Sequence, residues 1–174
     1  DFVGAYRCED ADYILVGMGC YMETARTTVD YLRAVKGIRA GCLTVYCFRP
    51  FPSRPIVDAL KHCRAFTVIE RMDDPLSTTG NHLTREIKAA FCDAMTGQNG
   101  QERIDRVPLI YQGSAGLGSR DVRPGDLCAI FDNMIHDGQD FFCVGIKHPL
   151  ALAPKEDPDL RPPAPLSEPN GHPF

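Results

Sequence analysis

Apolar residues along this chain occur either in short unbroken runs or in longer stretches with a helical repeat. An unbroken run of strand length, bounded by turn formers or charged residues, is typical of a strand that is buried on both faces. Such runs predict five strands, over residues 12–19, 38–48, 65–71, 107–113 and 140–148. Apolar residues that recur at three- and four-residue steps predict four helices, over residues 23–37, 53–63, 82–95 and 123–138.

The predicted strands and helices alternate along the chain. Connections of helix length between strands favour a parallel sheet with helices on both of its faces. The sequence therefore predicts an α/β domain over residues 1–148, in which residues 1–12 form a polar arm before the first strand. Residues 149–174 are rich in proline and have no apolar repeat, so we predict a proline-rich tail or linker there.

Local signals mark the ends of two predicted helices. Gly37 predicts the end of the first helix, because glycine readily adopts the left-handed conformation of a C-terminal cap. Glu23 falls at the start of that helix, where the helix dipole favours an acidic side chain. In the second helix, Ser53 is the predicted N-cap and Pro55 lies in the first turn.

The most informative stretch is residues 43–52, in which a predicted strand ends at Arg49-Pro50-Phe51-Pro52, called the RPFP turn below. The apolar run Val45–Phe48 predicts a strand that is buried on both faces. Pro50 and Pro52 remove two backbone donors and drive the preceding residues towards extended conformations, so the strand must end there. Arg49 is therefore expected at the carboxyl end of a central strand, where open α/β sheets carry their functional loops.

Composition and charge argue against several classes of partner. The formal net charge of −4, from 19 basic and 23 acidic residues without a basic stripe, argues against a nucleic-acid-binding surface. No apolar run approaches the roughly 20 residues that cross a bilayer. No signal-peptide pattern follows Asp1. We therefore predict a cytoplasmic protein without a membrane span, either processed or cut from a longer polypeptide.

The eight cysteines are scattered through the sequence and form no CxxC pair. Cys42 and Cys47 lack the neighbours of a zinc site or an iron–sulfur cluster. Disulfide frameworks are typical of short secreted proteins, whereas free cysteines of intracellular proteins tend to be buried. We predict reduced and mostly buried thiols.

Two glycine turns are candidate binding sites. Gly17-Met18-Gly19 follows the first predicted strand, as in a dinucleotide fingerprint, but Met22 occupies the position of the third glycine. A tight turn accounts for that pattern better than nucleotide binding does. The loop over residues 114–121 could hold an anion with its backbone amides and Arg120. A flexible or interface loop is the alternative that we favour for it.

The sequence contains no complete catalytic site. The histidines lack the spacing of metal ligands, so each is predicted to be a surface or capping residue: His62, His82, His136, His148 and His172. Asp73 and Asp74 adjoin Pro75, as in a solvated turn rather than a catalytic carboxylate pair. Two roles stay open for Arg49, an interface salt bridge and catalysis, and we favour the salt bridge because no partner chemistry accompanies it.

Five segments, in a fixed order between about residues 5 and 147, carry a family resemblance: YRCEDADYILVGMG, ETARTTVDYLR, GCLTVYCFRPFP, VIERMDDP and GLGSRDV. Together they resemble the second domain of pyruvate:ferredoxin/flavodoxin oxidoreductases and the alpha chains of the related 2-oxoacid:ferredoxin oxidoreductases. The resemblance implies a fold similar to the transketolase C-terminal domain. That fold is a three-layer α/β/α arrangement with a mostly parallel five-stranded sheet and one antiparallel strand.

The resemblance also implies the chemistry of a parent enzyme. Such enzymes oxidatively decarboxylate a 2-oxoacid, here expected to be pyruvate, to an acyl-CoA with thiamine diphosphate and magnesium. They pass electrons through iron–sulfur clusters to ferredoxin or flavodoxin. The family holds thiamine diphosphate in other domains, and this chain has no CxxCxxC run, so no catalytic, cofactor-binding or metal-binding residue is carried over. The resemblance implies a noncatalytic structural or interface domain, inactive alone, that packs against other domains or subunits of an oligomeric enzyme.

Interface positions are carried over from the motifs. Arg49, Pro50, Phe51 and Pro52 match the family's RPFP, and a second set matches its EDA and ET positions: Glu9, Asp10, Glu23 and Thr24. The segment 70–75 departs from the aspartate–arginine pair and glycine-rich continuation common in the family, which leaves the substrate open. The alternatives are a free-standing nucleotide- or CoA-binding α/β module and a pure assembly module that has lost its enzyme context.

Overall fold

The computed structural model describes residues 1–74 and 76–145. In these ranges the chain forms six strands, four α-helices and one short 3-10 helix. The strands are β1 (Val3–Tyr6), β2 (Tyr13–Gly17), β3 (Ala40–Val45), β4 (Ala65–Glu70), β5 (Leu109–Ala115) and β6 (Phe141–Val144). The helices are α1 (Tyr21–Lys36), α2 (Ser53–Leu60), α3 (His82–Thr96) and α4 (Pro124–Ile135), and the 3-10 helix is Leu117–Ser119.

The described strands form one sheet in the order β1-β3-β2-β4-β5-β6. Neighbouring strands are parallel except β1 and β3, which pair antiparallel with Val3 opposite Val45. Helices α1 and α4 pack on one face, and α2 and α3 pack on the other. The predicted three-layer α/β/α fold, mostly parallel with one antiparallel strand, is confirmed. The sheet has six described strands instead of the predicted five.

The additional strand, β1, comes from the segment that the sequence predicts to be a polar arm, residues 1–12. It is short, and Gly4 and the exposed Ala5 interrupt any apolar repeat. Gly4 lies against the ring of Tyr46, where a Cβ would collide with the Tyr46 hydroxyl. Pairing with β3, rather than a local pattern, therefore determines this strand.

Each face of the sheet buries its own apolar core. Leu15 of β2 and Phe131 of α4 are fully buried in the core beneath α1 and α4. On the other face, Phe66 of β4 stacks on Phe91 of α3 with the ring centroids 5.5 Å apart. Full burial of such a side chain contributes about 1.5–3 kcal/mol. Because both faces are covered, the ends of the strands are left to carry a functional site.

Most of the predicted helix ends agree with the structure. Gly37 is the C-cap of α1 with a left-handed φ of 68°, and Glu23 lies in the first turn of that helix. Pro55 lies in the first turn of α2, but Ser53 is wrong as its N-cap. Helix α2 already begins at Ser53, after Pro52, and no side chain of the described residues caps it.

The predicted strand that ends in the RPFP turn is shorter than expected. β3 ends at Val45, and Tyr46 is 54% exposed, so the prediction of a buried strand over residues 45–48 is wrong beyond its first residue. The backbone N–H groups of Tyr46 and Cys47 both donate to the carbonyl of Phe2, at 2.9 and 3.3 Å. This shared acceptor ends the regular ladder and leads the chain out of the sheet.

Several predictions fall outside the described ranges. The proline-rich tail over residues 149–174, His148, His172 and the end of the last predicted strand all lie there. The domain boundary at residue 148 therefore stays a prediction. Among the described residues, no helix is long and apolar enough to cross a membrane.

Candidate functional site

The carboxyl ends of the five parallel strands meet at one edge of the sheet, called the carboxyl edge below. β2 ends there at Gly17, β4 at Glu70 and β5 at Ala115. The chain continues from β2 to a helix on one face and from β4 to a helix on the other. The neighbouring ends of β2 and β4 therefore form a topological switch point, at which open α/β sheets bind ligands. This edge is the candidate site.

The glycine turn after β2 is filled by side chains of its own helix. The Tyr21 hydroxyl accepts a hydrogen bond from Met18 N–H at 3.2 Å and donates to the Ile69 carbonyl at 2.7 Å. Burial raises the pKa of Tyr21 to about 12. A Cβ at Gly17 would lie 2.5 Å from the Tyr21 hydroxyl and 2.9 Å from the sulfur of Met22. The absence of a side chain at Gly17 therefore leaves room for Tyr21 and Met22 of α1, which supports the prediction of a tight turn.

The carboxylate of Glu70, at the end of β4, caps helix α3. One oxygen accepts from Leu83 N–H at 2.7 Å, and the other accepts from Thr84 N–H at 3.1 Å and from the Thr84 hydroxyl at 2.9 Å. Glu70 is only 8% exposed, so these bonds replace its lost hydration. We call this arrangement the Glu70 cap. It satisfies helix N–H groups that have no partner within the helix.

Asn81, at the N-cap position of α3, joins three segments of the carboxyl edge. Its side-chain amide donates to the Met72 carbonyl at 2.9 Å and to the Ser114 hydroxyl at 3.2 Å, and its oxygen accepts from Asp74 N–H at 3.0 Å. Ser114 in turn donates to Asp73 at 3.4 Å. These contacts tie the loop after β4 to β5, so the polar groups here hold the loop in place.

The glycine-rich loop after β5 contains the 3-10 helix and three residues with a left-handed backbone, Gly116 (φ 70°), Gly118 (φ 63°) and Ser119 (φ 61°). The guanidinium of Arg71 lies against Gly116, since a Cβ there would come within 2.6 Å of the Arg71 Nε. Arg71 also donates to the Arg120 carbonyl at 3.1 Å, and Arg120 donates to the Gly145 carbonyl at 3.3 Å. The positively charged side chains of Arg71 and Arg120 therefore both lie at this loop.

The RPFP turn lies at the end of β3. Arg49 donates to Glu86 of α3 at 2.7 Å, and its guanidinium lies 4.3 Å from the centre of the Phe48 ring. Phe48 and Phe51 meet edge to face, with ring centroids 6.0 Å apart, and both pack against the core under α2 and α3. Pro52 is buried, whereas Pro50 is exposed. The turn thus presents a half-buried aromatic pair beside an exposed ion pair.

The other predicted interface residues lie at both ends of the sheet. Arg33 donates to both oxygens of Asp10, at 2.7 and 3.1 Å, and lowers the pKa of that carboxyl. Arg33 also donates to the Ala40 carbonyl at the start of β3. Asp10 and the exposed Glu9 therefore lie at the opposite end of β3 from the RPFP turn, a separation of roughly 20 Å for a strand of this length.

Glu23 and Thr24 lie near the RPFP turn. Glu23 is exposed in the first turn of α1 and pairs with Arg26 at 3.4 Å, while Thr24 is half-buried beside it. Arg26 donates to the Tyr46 hydroxyl at 3.2 Å, which links this helix turn to the end of β3. The structure therefore brings the ET and RPFP positions to one end of the sheet and leaves the EDA positions at the other.

Five of the eight cysteines are buried, whereas Cys20 and Cys92 are exposed. All eight cysteines are free, and burial raises the pKa of Cys8 to about 11 and those of Cys42 and Cys63 to about 12. His62 shares a hydrogen bond with the Cys8 carbonyl at 2.7 Å. Within residues 1–74 and 76–145, no three His, Cys, Asp or Glu side chains are grouped so that they could hold a metal ion.

Sequence reasoning missed Glu70, Asn81 and Arg71 as members of this edge. Glu70 is the last residue of an apolar strand, and a carboxylate in that position is the one sequence signal that could have indicated a buried role. Asn81 precedes a predicted helix, which is an N-cap signal. No sequence pattern connects Arg71 with Gly116, because their contact depends on the pairing of β4 with β5.

Comparison with known proteins identifies relatives over most of the chain. The chain is 31% identical to a pyruvate-flavodoxin oxidoreductase of Enterobacter agglomerans over 159 residues, which cover 89% of this chain and 12% of that protein. It is 33% identical to a pyruvate-flavodoxin oxidoreductase of a Nostoc species over 142 residues, 79% of this chain and 12% of that protein. A pyruvate synthase subunit PorA of Methanothermobacter thermautotrophicus is 31% identical over 145 residues, 83% of this chain and 33% of the subunit.

The chain thus spans 12% to 33% of the lengths of these relatives. Residues 11–127 match the family model described as pyruvate:ferredoxin oxidoreductase core domain II. The match begins before β2 and extends into α4, so it includes the whole carboxyl edge between β2 and β5. The chain belongs to the family of pyruvate:ferredoxin oxidoreductase core domain II.

Proposed function

We propose that this chain is a noncatalytic structural and interface domain of a thiamine diphosphate-dependent pyruvate:ferredoxin or flavodoxin oxidoreductase. The parent enzyme would convert pyruvate to an acyl-CoA by oxidative decarboxylation. The family match supports the parent class. The single observation that carries the noncatalytic role is the Glu70 cap, because the buried carboxylate at the switch point is committed to helix α3 on both of its oxygens.

The neighbouring polar groups support the same role. Asn81 uses its amide and its carbonyl oxygen within the loop after β4. The Tyr21 hydroxyl accepts from Met18 N–H in the turn after β2 and donates to the Ile69 carbonyl of β4. A general base or nucleophile needs a lone pair or proton directed at a substrate. These groups instead hold the loops in fixed positions, as a docking surface requires.

The cofactors of the proposed parent belong to its other parts. Thiamine diphosphate, magnesium, iron–sulfur clusters and CoA would act in domains or subunits that adjoin this one, and ferredoxin or flavodoxin would be an indirect partner. The RPFP turn, with its aromatic pair and exposed Arg49, is the proposed contact with those domains. Glu23 and Thr24 extend that contact along α1, whereas Glu9 and Asp10 would serve a second contact. The proposal includes a cytoplasmic, oligomeric enzyme and a likeness to transketolase C-terminal domains.

An activity assay tests the noncatalytic role. The 174-residue chain should reduce no dye when supplied with pyruvate or 2-oxoglutarate, CoA, thiamine diphosphate and magnesium, while a complete pyruvate-flavodoxin oxidoreductase in the same buffer should. Turnover by the chain alone would overturn the proposal. The intact mass of the native protein is the companion measurement, since a domain of such an enzyme should continue beyond both ends of this sequence.

The rival function, a free-standing nucleotide- or CoA-binding module, makes an opposite prediction. Calorimetric titration of the chain with CoA, NAD and ATP should give micromolar affinity if the rival is right, and no binding in the micromolar range if the interface proposal is right. At the turn after β2, the Tyr21 hydroxyl already occupies the Met18 N–H that a phosphate would need. The acidic Glu23 in the first turn of α1 would also repel a phosphate there.

A further inference from the structure

The arginines of the described chain form two groups. Most pair with a carboxylate, as Arg33 does with Asp10 and Arg39 with Asp12. Arg71 and Arg120 belong to a smaller group without a carboxylate partner among the described residues, and like Arg106 they donate to backbone carbonyls. Within residues 1–74 and 76–145, neither guanidinium has a carboxylate at ion-pair distance. Their positive charges are therefore not neutralised by direct ion pairs.

The two arginines approach one loop from neighbouring strands. Arg71 follows β4 and lies against Gly116, while Arg120 follows the 3-10 helix and reaches the Gly145 carbonyl after β6. β4 and β6 are the two neighbours of β5. The two residues are in direct contact, because Arg71 donates to the Arg120 carbonyl at 3.1 Å, and Arg120 in turn reaches the Gly145 carbonyl on the β6 side of the loop.

The chemistry of this pair suits a multiply charged oxyanion. A guanidinium has five N–H donors in a planar fork, and each of these two is exposed and uses one donor on a protein carbonyl. The remaining donors match the oxygens of a phosphate. Two positive charges also suit a dianionic phosphate better than they suit a carboxylate with a single negative charge. We propose that Arg71, Arg120 and Gly116 form a binding site for phosphate groups at the carboxyl edge.

Gly116 is part of the site because it sets the position of Arg71. Its left-handed φ of 70° and the 2.6 Å approach of Arg71 Nε to its Cβ position both exclude a larger residue. The exposed carboxylates of Asp73 and Asp121 lie close along the chain and weaken the positive potential. Asp126 is committed to the N-terminus of α4, where it accepts from Arg123 N–H. Millimolar affinity, highest for pyrophosphate, is therefore expected.

This site is separate from the proposed noncatalytic role. It does not use the turn after β2, the Glu70 cap or the RPFP turn, and it requires no reaction. The prediction of phosphate binding is tested by titration, and the prediction of no turnover is tested by dye reduction. Either prediction can therefore be wrong while the other is right.

The test is a titration of the 174-residue chain with inorganic phosphate, pyrophosphate and ADP, followed by amide NMR shifts and by the melting temperature. Saturable binding of pyrophosphate is expected at concentrations of roughly 10 mM or below, since exposed charge pairs are weak. Arg71→Gln and Arg120→Gln should each weaken binding about tenfold through loss of charge-assisted hydrogen bonds. Gly116→Ala should weaken it to a similar degree, although it leaves both charges in place.

Two matched controls separate the site from general effects. Gly37→Ala imposes the same left-handed strain at φ 68° in open space at the end of α1, and Arg54→Gln removes one exposed charge on α2. Both variants should bind pyrophosphate like the parent chain, and equal ionic strengths of chloride should not compete. ADP should bind no more tightly than pyrophosphate, and a clear preference for ADP would overturn the assignment of the site to phosphate groups. Absence of saturable binding, or unchanged affinity in Arg71→Gln and Gly116→Ala, would overturn the proposal.

Discussion

The RPFP turn and the Glu70 cap both place a carboxylate at helix α3, but they differ in burial and in the number of bonds. Glu86 meets Arg49 with one hydrogen bond, and the two side chains are 35% and 59% exposed. Glu70 accepts three hydrogen bonds and is 8% exposed. An exposed ion pair contributes about 0–1 kcal/mol to the free energy of unfolding. Removal of a buried, charged acceptor leaves its donors unpaired and costs about 1–3 kcal/mol or more.

The difference in burial and hydrogen bonding indicates different roles for the two regions, although both lie at the carboxyl edge of the sheet. The Glu70 cap stabilises the chain itself, because its bonds join β4 to α3. The RPFP turn keeps a half-buried aromatic pair and an exposed cation at the surface. We expect them to contribute less to stability than the Glu70 cap does, and this is the surface proposed to meet another domain. The variants below test this division, beginning with the largest expected effect.

Glu70→Ala should lower the free energy of unfolding by about 3 kcal/mol, because Leu83 N–H, Thr84 N–H and the Thr84 hydroxyl lose a charged acceptor in a buried position. Glu70→Gln keeps one acceptor oxygen and should lose about 1–2 kcal/mol. Urea denaturation measures both, with Glu86→Ala as the exposed control at under about 0.5 kcal/mol. Equal losses for Glu70→Ala and Glu86→Ala would remove the distinction between the two regions.

Asn81→Ala should cost about 2 kcal/mol, because it removes two donors and an acceptor in a position that is 2% exposed. Ser114→Ala should cost about 1 kcal/mol. A double-mutant cycle between the two positions should give a coupling of about 1 kcal/mol, since the side chains are in direct contact. Strict additivity of the two losses would show that the 3.2 Å bond between them contributes nothing.

Phe51→Ala should lower the free energy of unfolding by about 1.5 kcal/mol, below the range for fully buried aromatic residues because Phe51 is half-buried. It removes the edge-to-face contact with Phe48 and part of the packing against α2 and α3. Phe2→Ala is the control, since Phe2 is 53% exposed, and it should cost under about 0.5 kcal/mol. A loss above about 3 kcal/mol would place Phe51 in the core instead of at a docking surface.

Arg49→Ala should have the smallest effect on the isolated chain, under about 0.5 kcal/mol. If the RPFP turn is an interface, the same substitution should weaken assembly of the complete enzyme, measured by analytical ultracentrifugation. Glu86→Ala serves as the control, because it removes the intrachain pair and leaves Arg49 free for a partner. A large loss of stability in the isolated chain would instead assign Arg49 to the fold.

Much of the fold follows from patterns that the chain carries locally. The alternation of apolar runs and helical repeats predicts five of the six described strands and all four α-helices, and Gly37 ends α1 as its backbone freedom predicts. β1 could not be predicted, because four residues that include Gly4 become a strand only by pairing with β3. The end of β3 was missed for a related reason, since the Phe2 carbonyl takes both N–H groups after Val45.

The candidate site was less predictable than the fold. RPFP is visible in the sequence because its prolines restrict the backbone directly. Glu70 and Leu83 lie in separate segments, and the hydrogen bond between them depends on the way α3 packs on the sheet. The contact of Arg71 with Gly116 likewise requires the pairing of β4 and β5. Contacts between side chains of different strands and helices therefore cannot be predicted from local sequence patterns.

The antiparallel pairing of β1 has a consequence for synthesis on the ribosome. Val3 lies opposite Val45, so β1 emerges well before its partner and must wait until β2, α1 and β3 have been made. Parallel neighbours such as β2 and β4 wait as well, but each also has a helix to pack against as it emerges. No helix lies between β1 and β2 in the described chain, so β1 depends on the completion of β3 for its hydrogen-bonded partner.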